Sequence, residues 1–212
     1  MSNREYEIRI YDIDENKIKQ KIKKLGGKML QKKMVMPIIV YHHPKNKKDF
    51  YIRIRNEGHE ITMTVKTDIS KKYPIEREII INSVEEGDAI LQLLGCKLKY
   101  KFEKIREIWT LKGCKEIVFD SYAGLPTYIE IDCHTLAGLK SAAGKLGYKL
   151  SDHSKDTLRD RYNQLYGMDK KAKWGGNKIN EITFKNAKKI YLPLIKKNKK
   201  LFISILNEQL KV

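Results

Sequence analysis

The most constraining feature of this 212-residue sequence is a series of eight short segments, most of which alternate apolar and charged residues. In residues 50–55, Ile52 and Ile54 alternate with Arg53 and Arg55. A period of two predicts β-strands with one apolar face and one polar face. The other segments that fit strands are residues 4–12, 34–42, 60–66, 75–81, 98–110, 114–120 and 127–133. We therefore expect an antiparallel sheet to dominate the first two thirds of the chain.

The charges on the polar strand faces carry both signs, and the signs occur in blocks. The first and last strands are acidic and the middle strands are cationic, as in Glu5, Glu7, Glu130 and Asp132 against Arg53, Arg55, Lys104 and Arg106. A solvated sheet face is the simplest explanation for one strand, but it would mix the signs. A closed barrel that binds polyphosphate and metal explains the blocks. Arg and Lys neutralise phosphate oxygens, and paired carboxylates bind hard cations such as Mg²⁺ or Mn²⁺.

Helical signals lie between and after the strands. Asp14 is a predicted N-cap, and Ser83 with Glu86 resembles a capping box. Residues 168–212 hold 12 Lys, no Arg and three acidic residues, and their apolar residues recur at helical spacing. We interpret this segment as basic helices, whose exposed lysines would attract RNA if RNA is a partner. The alternative is a structural role, in which the residues that pack against the barrel are Phe184, Ile190, Leu194 and Leu201.

Composition limits the partners and the compartment. The formal net charge of +18 predicts an anionic partner, such as nucleic acid, an anionic membrane surface or polyphosphate. Cys96, Cys114 and Cys133 are far apart in sequence and form no Cys-x-x-Cys pair, which argues against a disulfide framework and a zinc site. No apolar run approaches the ~20 residues that a membrane span needs. We therefore expect a cytoplasmic protein without membrane insertion.

Six motifs, in order along the chain, resemble the CYTH group within the triphosphate tunnel metalloenzymes. Glu5-Tyr6-Glu7-Ile8-Arg9 is similar to the family signature Glu-x-Glu-x-Lys, with Arg9 where Lys is usual. The other five motifs are Arg53-Ile54-Arg55, Thr64-Val65-Lys66, Glu76-Arg77-Glu78, Lys104-Ile105-Arg106 with Trp109, and Asp120 followed by Glu130-Ile131-Asp132. In the last motif, Asp132 stands where the family has a second Glu. The resemblance covers roughly residues 4–166.

The resemblance implies an α+β fold built on a closed, eight-stranded antiparallel β-barrel, or tunnel, with flanking helices. We expect residues 1–167 to form this domain and residues 168–212 to be a basic helical extension packed on it. The implied metal ligands for Mg²⁺ or Mn²⁺ are Glu5, Glu7, Asp120, Glu130 and Asp132. The implied triphosphate-binding residues are Arg9, Arg53, Arg55, Lys66, Lys104 and Arg106. The implied catalytic residues are Glu78, Asp120, Lys104 and Arg106.

Several chemistries occur in this family, so the resemblance leaves the reaction open. The first hypothesis is metal-dependent hydrolysis of a terminal phosphate from inorganic triphosphate, thiamine triphosphate or a nucleoside triphosphate. The alternatives are an RNA 5′-triphosphatase of the mRNA-capping type, a class IV-like adenylate cyclase, and a non-enzymatic module that binds polyphosphate or nucleic acid. Residues 151–154 (Ser-Asp-His-Ser) are sequential, unlike the separated members of a catalytic triad, and are interpreted as a helix start.

Overall fold

The computed structural model describes residues 5–45, 47–67, 69, 74–169 and 181–212. Nine strands and six α-helices lie within those ranges. The strands are β1 (Tyr6–Ile10), β2 (Met29–His42), β3 (Phe50–Asn56), β4 (Ile61–Thr67), β5 (Ile75–Ile81), β6 (Lys97–Trp109), β7 (Cys114–Tyr122), β8 (Tyr128–Cys133) and β9 (Glu181–Ile182). The helices are α1 (Glu15–Lys24), α2 (Val84–Leu93), α3 (Leu136–Leu146), α4 (Leu158–Tyr166), α5 (Phe184–Tyr191) and α6 (Lys199–Gln209).

The chain divides into two compact units. The first unit comprises residues 1–6 and 36–102, and the second comprises residues 7–35 and 103–212. Strands β1, β2 and β6 contribute residues to both units.

In the first unit, strands β2, β3, β4 and β5 follow one another as antiparallel neighbours. Ile52 and Ile54 of β3 are buried with Leu91 of α2 in one hydrophobic cluster. Helix α2 approaches closely because Gly87 has no side chain: a Cβ there would lie 2.9 Å from Ile54 Cδ1. The alternation of β3 therefore turns its arginines to the other face of the sheet.

In the second unit, β7 pairs antiparallel with both β6 and β8, and β1 lies next to β8. One face carries the cross-strand pairs Phe119–Ile129 and Ile117–Ile131, all four of which are buried. Arg106 and Asp120 are cross-strand partners on the opposite face, next to Val118 and its partner Glu130. Period two thus separates an apolar face from a charged face here as well.

The C-terminal helices pack into this second unit through a hydrophobic cluster. Its buried members include Ile105, Ala123, Leu125, Tyr162, Tyr166, Met168, Phe184, Ala187, Ile190, Tyr191, Ile195, Phe202 and Leu206. Phe184 and Ile190 therefore pack as the structural alternative predicted. Leu201 does not, because it is 43% exposed, and the neighbouring Phe202 is buried in its place. Residues 170–180 of the predicted basic extension lie outside the described residues.

The structure confirms the α+β class and the eight predicted strands, with β2 extending five residues further towards the N-terminus than its predicted start at residue 34. Asp14 and Ser83 cap α1 and α2 as predicted, by accepting hydrogen bonds from Lys17 N and Glu86 N. The helix start predicted at residues 151–154 is wrong, because a one-turn 3-10 helix at Leu150–Asp152 ends there. Closure of the sheet into a barrel and a domain boundary after residue 167 stay predictions. Of the helices in the described ranges, none is long and apolar enough to cross a membrane.

Candidate functional site

The first unit gathers its predicted site residues into one charged network. Strand register places Tyr51, Lys66 and Glu76 in one row across β3, β4 and β5, and Arg53, Thr64 and Glu78 in the next row. Lys66 Nζ lies 2.6 Å from Glu5 Oε1 and 3.5 Å from Glu76 Oε2. Burial raises the pKa of Glu76. The charge of Lys66 and a side-chain hydrogen bond with Glu5 outweigh burial and lower that pKa to about 2.

The arginines of this network contact carboxylates on two sides. Arg55 Nη2 lies 2.5 Å from Glu57 Oε1 and 3.4 Å from Glu78 Oε2. Glu78 also accepts a 2.5 Å hydrogen bond from Thr64 Oγ1 and lies 3.7 Å from Arg53 Nη2. Glu57 is buried and is not among the predicted site residues. Its side chain contacts Arg55, which the spacing of the Arg53-Ile54-Arg55 motif does not reveal.

In the second unit, Asp120 is the centre of a buried charged cluster. Its side chain has no solvent exposure and accepts hydrogen bonds from Lys104 Nζ at 2.6 Å, Arg106 Nε at 2.8 Å and Arg106 Nη2 at 2.7 Å. Burial alone would raise the pKa of Asp120, but Arg106 and Lys104 hold it well below its usual range. Asp120 thus fixes the orientation of two cations.

Glu130 binds a third cation in the same cluster. Arg9 Nε donates a 2.7 Å hydrogen bond to Glu130 Oε1, and Arg9 Nη2 lies 2.6 Å from the same oxygen. Glu130 Oε2 lies 3.4 Å from Arg106 Nη2, which joins the two pairs. Burial opposes ionisation of Glu130, but the charges of Arg9, Lys104 and Arg106 together outweigh it and lower the Glu130 pKa. Arg106 also lies 3.4 Å from Glu116 Oε1 through Nη1, so the three cations of this cluster face three carboxylates.

A second group of carboxylates lies on β1, β7 and β8 of the same unit, and it carries excess negative charge. Asp132 is the cross-strand partner of Glu116. Its pKa is raised to about 7, first by burial and then by the charges of Glu7 and Glu116, against which Lys115 acts. Lys115 Nζ is 3.4 Å from Asp132 Oδ2, while the buried Oδ1 accepts no hydrogen bond.

Carboxylate oxygens with excess negative charge are the donors that Mg²⁺ and Mn²⁺ prefer, so Asp132, Glu7 and Glu116 fit a divalent cation by their chemistry. The buried Asp132 Oδ1 without a hydrogen bond is a further point in favour. Within the described ranges, no three His, Cys, Asp or Glu side chains already converge as ligands. Instead, four of the five predicted ligands contact cations: Glu5 contacts Lys66, Asp120 contacts Lys104 and Arg106, Glu130 contacts Arg9, and Asp132 contacts Lys115.

The turn between β7 and β8 is held by side chains from the C-terminal helices. Gln209 Oε1 accepts from Gly124 N at 2.7 Å, and Gln209 Nε2 donates to Leu125 O at 3.0 Å. Tyr162 Oη donates to Ala123 O at 2.6 Å, and Tyr166 Oη donates to Gly124 O. The strands on either side of this turn carry Asp120 and Glu130. Helices α4 and α6 therefore order the hairpin that carries two predicted site residues.

Sequence reasoning missed Glu116 and His153 as neighbours of the site. Glu116 shares a strand face with Val118 and Asp120, so the alternation in residues 114–120 could have found it. His153 Nδ1 accepts a hydrogen bond from the backbone N–H of Arg9 at 3.0 Å across 144 residues. Burial and the charge of Arg9 lower the pKa of His153. No local sequence signal reveals such a contact.

Comparison with known proteins supports the family that the motifs resemble. Residues 3–158 match the CYTH domain. A Methanocaldococcus jannaschii protein, whose name assigns it provisionally to the adenylate cyclases, is 30% identical over 133 residues, which are 60% of this chain and 75% of that protein.

Solved structures share the fold. A provisionally named adenylate cyclase from Vibrio parahaemolyticus has a TM-score of 0.64 at 13% identity and covers 77% of this chain and 99% of its own. The PH1819 protein from Pyrococcus horikoshii OT3 has a TM-score of 0.53 at 27% identity, covering 68% of this chain and 91% of its own.

Proposed function

We propose that this chain, which belongs to the CYTH domain family, is a metal-dependent triphosphatase that hydrolyses a terminal phosphate from a triphosphate. The candidate substrates are inorganic triphosphate, thiamine triphosphate and a nucleoside triphosphate. The observation that carries the proposal is the cluster of Arg9, Lys104 and Arg106, three cations that the carboxylates of Asp120 and Glu130 hold together on one strand face. Such a set of oriented cations, with an acidic group on the same unit, suits a polyphosphate bound with a metal.

In this mechanism the buried cations act on the phosphoryl group that is transferred. Lys104 and Arg106 contact its oxygens and stabilise the charge that grows there during cleavage. Asp120 fixes both side chains before substrate binds, so little reorganisation is needed. Arg9 binds a further phosphate oxygen through its guanidinium group.

The acidic residues hold the metal and orient water. Glu7 and Asp132 are the best candidates for ligands because the burial and charge around Asp132 disfavour its ionised form without a cation. Glu5, Asp120 and Glu130 complete the ligand set that the family resemblance implies. The chemistry that a bound Mg²⁺ or Mn²⁺ supplies is neutralisation of phosphate charge and acidification of water.

The residues of the first-unit network keep the roles that the resemblance implies. Arg53, Arg55 and Lys66 bind phosphate oxygens, and Glu78 orients the attacking water. The Thr64 hydroxyl, which donates to Glu78, would fix that carboxylate.

Adenylate cyclisation is the second candidate, because the relatives from M. jannaschii and V. parahaemolyticus carry adenylate cyclase names. Both reactions use a metal-bound triphosphate, and they differ in the attacking oxygen. Hydrolysis of ATP at its terminal phosphate yields ADP and phosphate, whereas cyclisation yields cyclic AMP and pyrophosphate. Product identity therefore separates the two candidates directly.

One substrate panel tests the proposal. Inorganic triphosphate, thiamine triphosphate, ATP and 5′-triphosphate RNA are each incubated with Mg²⁺ or Mn²⁺, and products are identified. We expect phosphate release that stops with EDTA, and a loss of at least ~10² in turnover for Glu7→Gln, since metal-centred charge stabilisation contributes several kcal/mol. Glu208→Gln is the control, because this carboxylate is exposed. Full activity in EDTA, or only cyclic AMP from ATP, would contradict hydrolysis by this mechanism.

A further inference from the structure

Both backbone hydrogen-bonding groups of Arg9 are held by residues 153 and 154. Arg9 N donates to His153 Nδ1 at 3.0 Å, and Ser154 N donates to Arg9 O at 2.8 Å. The guanidinium group of the same arginine binds Glu130 through two nitrogen atoms. Arg9 is therefore fixed at its backbone and at the end of its side chain.

The contact with Arg9 determines which imidazole nitrogen of His153 carries the proton. A ring nitrogen that accepts a hydrogen bond must offer its lone pair, so the neutral ring is protonated at Nε2. Burial and the positive charges of Arg9 and Lys155 favour this neutral ring, and the carboxylates of Glu7 and Glu130 oppose them. A protonated ring would turn Nδ1 into a donor that faces another donor.

The hydrogen bond from Arg9 N is made to a side chain, not to a strand carbonyl. Strand β1 is already hydrogen-bonded to its strand neighbour β8, and His153 holds one further backbone group of β1, the N–H of Arg9. Removing the acceptor leaves the N–H of Arg9 without its partner in a half-buried position, which is unfavourable. The strand would shift to find another acceptor, and the guanidinium group would shift with it.

We infer that His153 is a positioning residue, which holds the backbone of Arg9 through Nδ1 so that the Arg9 guanidinium is placed for a substrate phosphate. The inference rests on the proposed function only for the role of Arg9 with substrate. The contact between His153 and Arg9 can be tested without any substrate.

Two substitutions of His153 separate its nitrogens. In His153→Asn, the amide oxygen can take the place of Nδ1, whereas in His153→Gln it is one bond further out, near the place of Nε2. We expect the Asn variant to keep the hydrogen-exchange protection of the Arg9 amide and the KM for triphosphate. In the Gln variant we expect the Arg9 amide to exchange about tenfold faster and the KM for triphosphate to be about tenfold higher. The kcat should change little, since loss of uniform substrate binding raises KM alone. His42→Gln, at an exposed histidine of β2, is the control.

Hydrogen exchange tests the contact, and KM tests the positioning role. Faster Arg9 exchange in the Gln variant but not in the Asn variant supports the contact, and equal exchange in the two variants overturns it. A ¹⁵N spectrum of wild-type His153 is a test that needs no folded variant, and a proton on Nδ1 would also overturn the contact. If the Gln variant loses the contact with Arg9 but keeps the wild-type KM, the positioning role is overturned. If the wild-type chain cleaves no triphosphate, the proposed function fails while the exchange data still decide the contact.

Discussion

Gln209 and Gly124 are joined by a 2.7 Å hydrogen bond from the backbone N–H of Gly124 to Gln209 Oε1, across 85 residues of sequence. Gln209 Nε2 donates 3.0 Å hydrogen bonds to the carbonyl oxygens of Tyr122 and Leu125. One side chain at the end of α6 thus satisfies three backbone groups of the β7–β8 turn. Helix α6, which belongs to the predicted basic extension, therefore contributes to the structure of the second unit.

Replacing Gln209 should therefore destabilise the protein. We expect Gln209→Ala to lower the free energy of unfolding by about 2–4 kcal/mol, since buried polar groups of the turn lose their partners. Gln209→Glu should fall between Ala and wild type, because a carboxylate can accept from Gly124 N but cannot donate to the carbonyl groups. Urea unfolding measures both, with Glu208→Ala as the exposed neighbour. Equal stability of all four proteins would contradict the role of Gln209.

Gly124 should tolerate alanine less well than Gly113 does. Both have positive φ, 75° and 93°, so each alanine has a cost of about 1–2 kcal/mol for the left-handed conformation. A Cβ at Gly124 would lie 2.2 Å from Phe202 Cε2, whereas a Cβ at Gly113 meets no atom within 4 Å. We expect Gly124→Ala to be a further ~1–3 kcal/mol less stable than Gly113→Ala because of this overlap. Thermal or urea unfolding gives the difference, and a difference of zero would show that Phe202 does not pack there.

Asp120→Asn should be severely destabilising at neutral pH. The change leaves the buried Lys104 and Arg106 without the carboxylate of Asp120. Removing one partner of a buried ion pair typically lowers the free energy of unfolding by about 3–5 kcal/mol. Glu116→Gln is the comparison, because Glu116 lies 3.4 Å from Arg106 but its side chain is 33% exposed. We expect this variant to change the free energy of unfolding by less than about 1 kcal/mol.

The pH dependence of the Asp120→Asn effect follows from the lowered pKa of Asp120. Stability from this group is complete above the unfolded pKa of 3.8 and is lost as pH falls through the folded pKa. The gap between wild type and Asp120→Asn in urea unfolding should therefore be constant from about pH 5 to pH 8 and narrow in stronger acid. A gap that widens in acid would contradict the ion pairs.

Asp132→Asn should have the opposite effect when metal is absent. The folded pKa of Asp132 is raised from 3.8 to about 7, so the folded state binds this proton more tightly than the unfolded state. The stability that this provides is present below pH 3.8 and is lost as pH rises towards 7. With chelator present, Asp132→Asn should be more stable than wild type by on the order of a few kcal/mol at pH 8, but not at pH 4. Urea unfolding at both pH values, with Glu208→Gln as control, would refute this if the difference were independent of pH.

The network cations should matter more for triphosphate binding than the lysines of the tail. Arg53→Ala should weaken binding of inorganic triphosphate at least about tenfold, because half-buried charges are screened less than exposed ones. Lys197→Ala should change the affinity less than about twofold, since Lys197 is exposed. Calorimetric titration at two salt concentrations measures both effects. Equal losses in the two variants would move the binding site to the exposed surface.

The period-two pattern was sufficient to predict which residues share a strand face. The alternation in residues 50–55 correctly put Arg53 and Arg55 opposite Ile52 and Ile54, and the spacing of Glu130 and Asp132 put both on one face of β8. Asp14 and Ser83 were predictable as caps because a cap acts on backbone groups two or three residues away. Such features depend on neighbours in sequence, so composition and spacing determine them.

Tertiary structure alone decided what each of these charges contacts. Asp120 and Asp132 are both aspartates on charged strand faces, yet one is ionised between two cations and the other has a pKa near 7 beside two carboxylates. That difference comes from strand order and register, which bring β6 beside β7 and leave Asp132 opposite Glu116. Gln209 and His153 act on residues 85 and 144 positions away. The sequence determines the face of a side chain through local periodicity, but its partners come from distant segments that meet only in the folded chain.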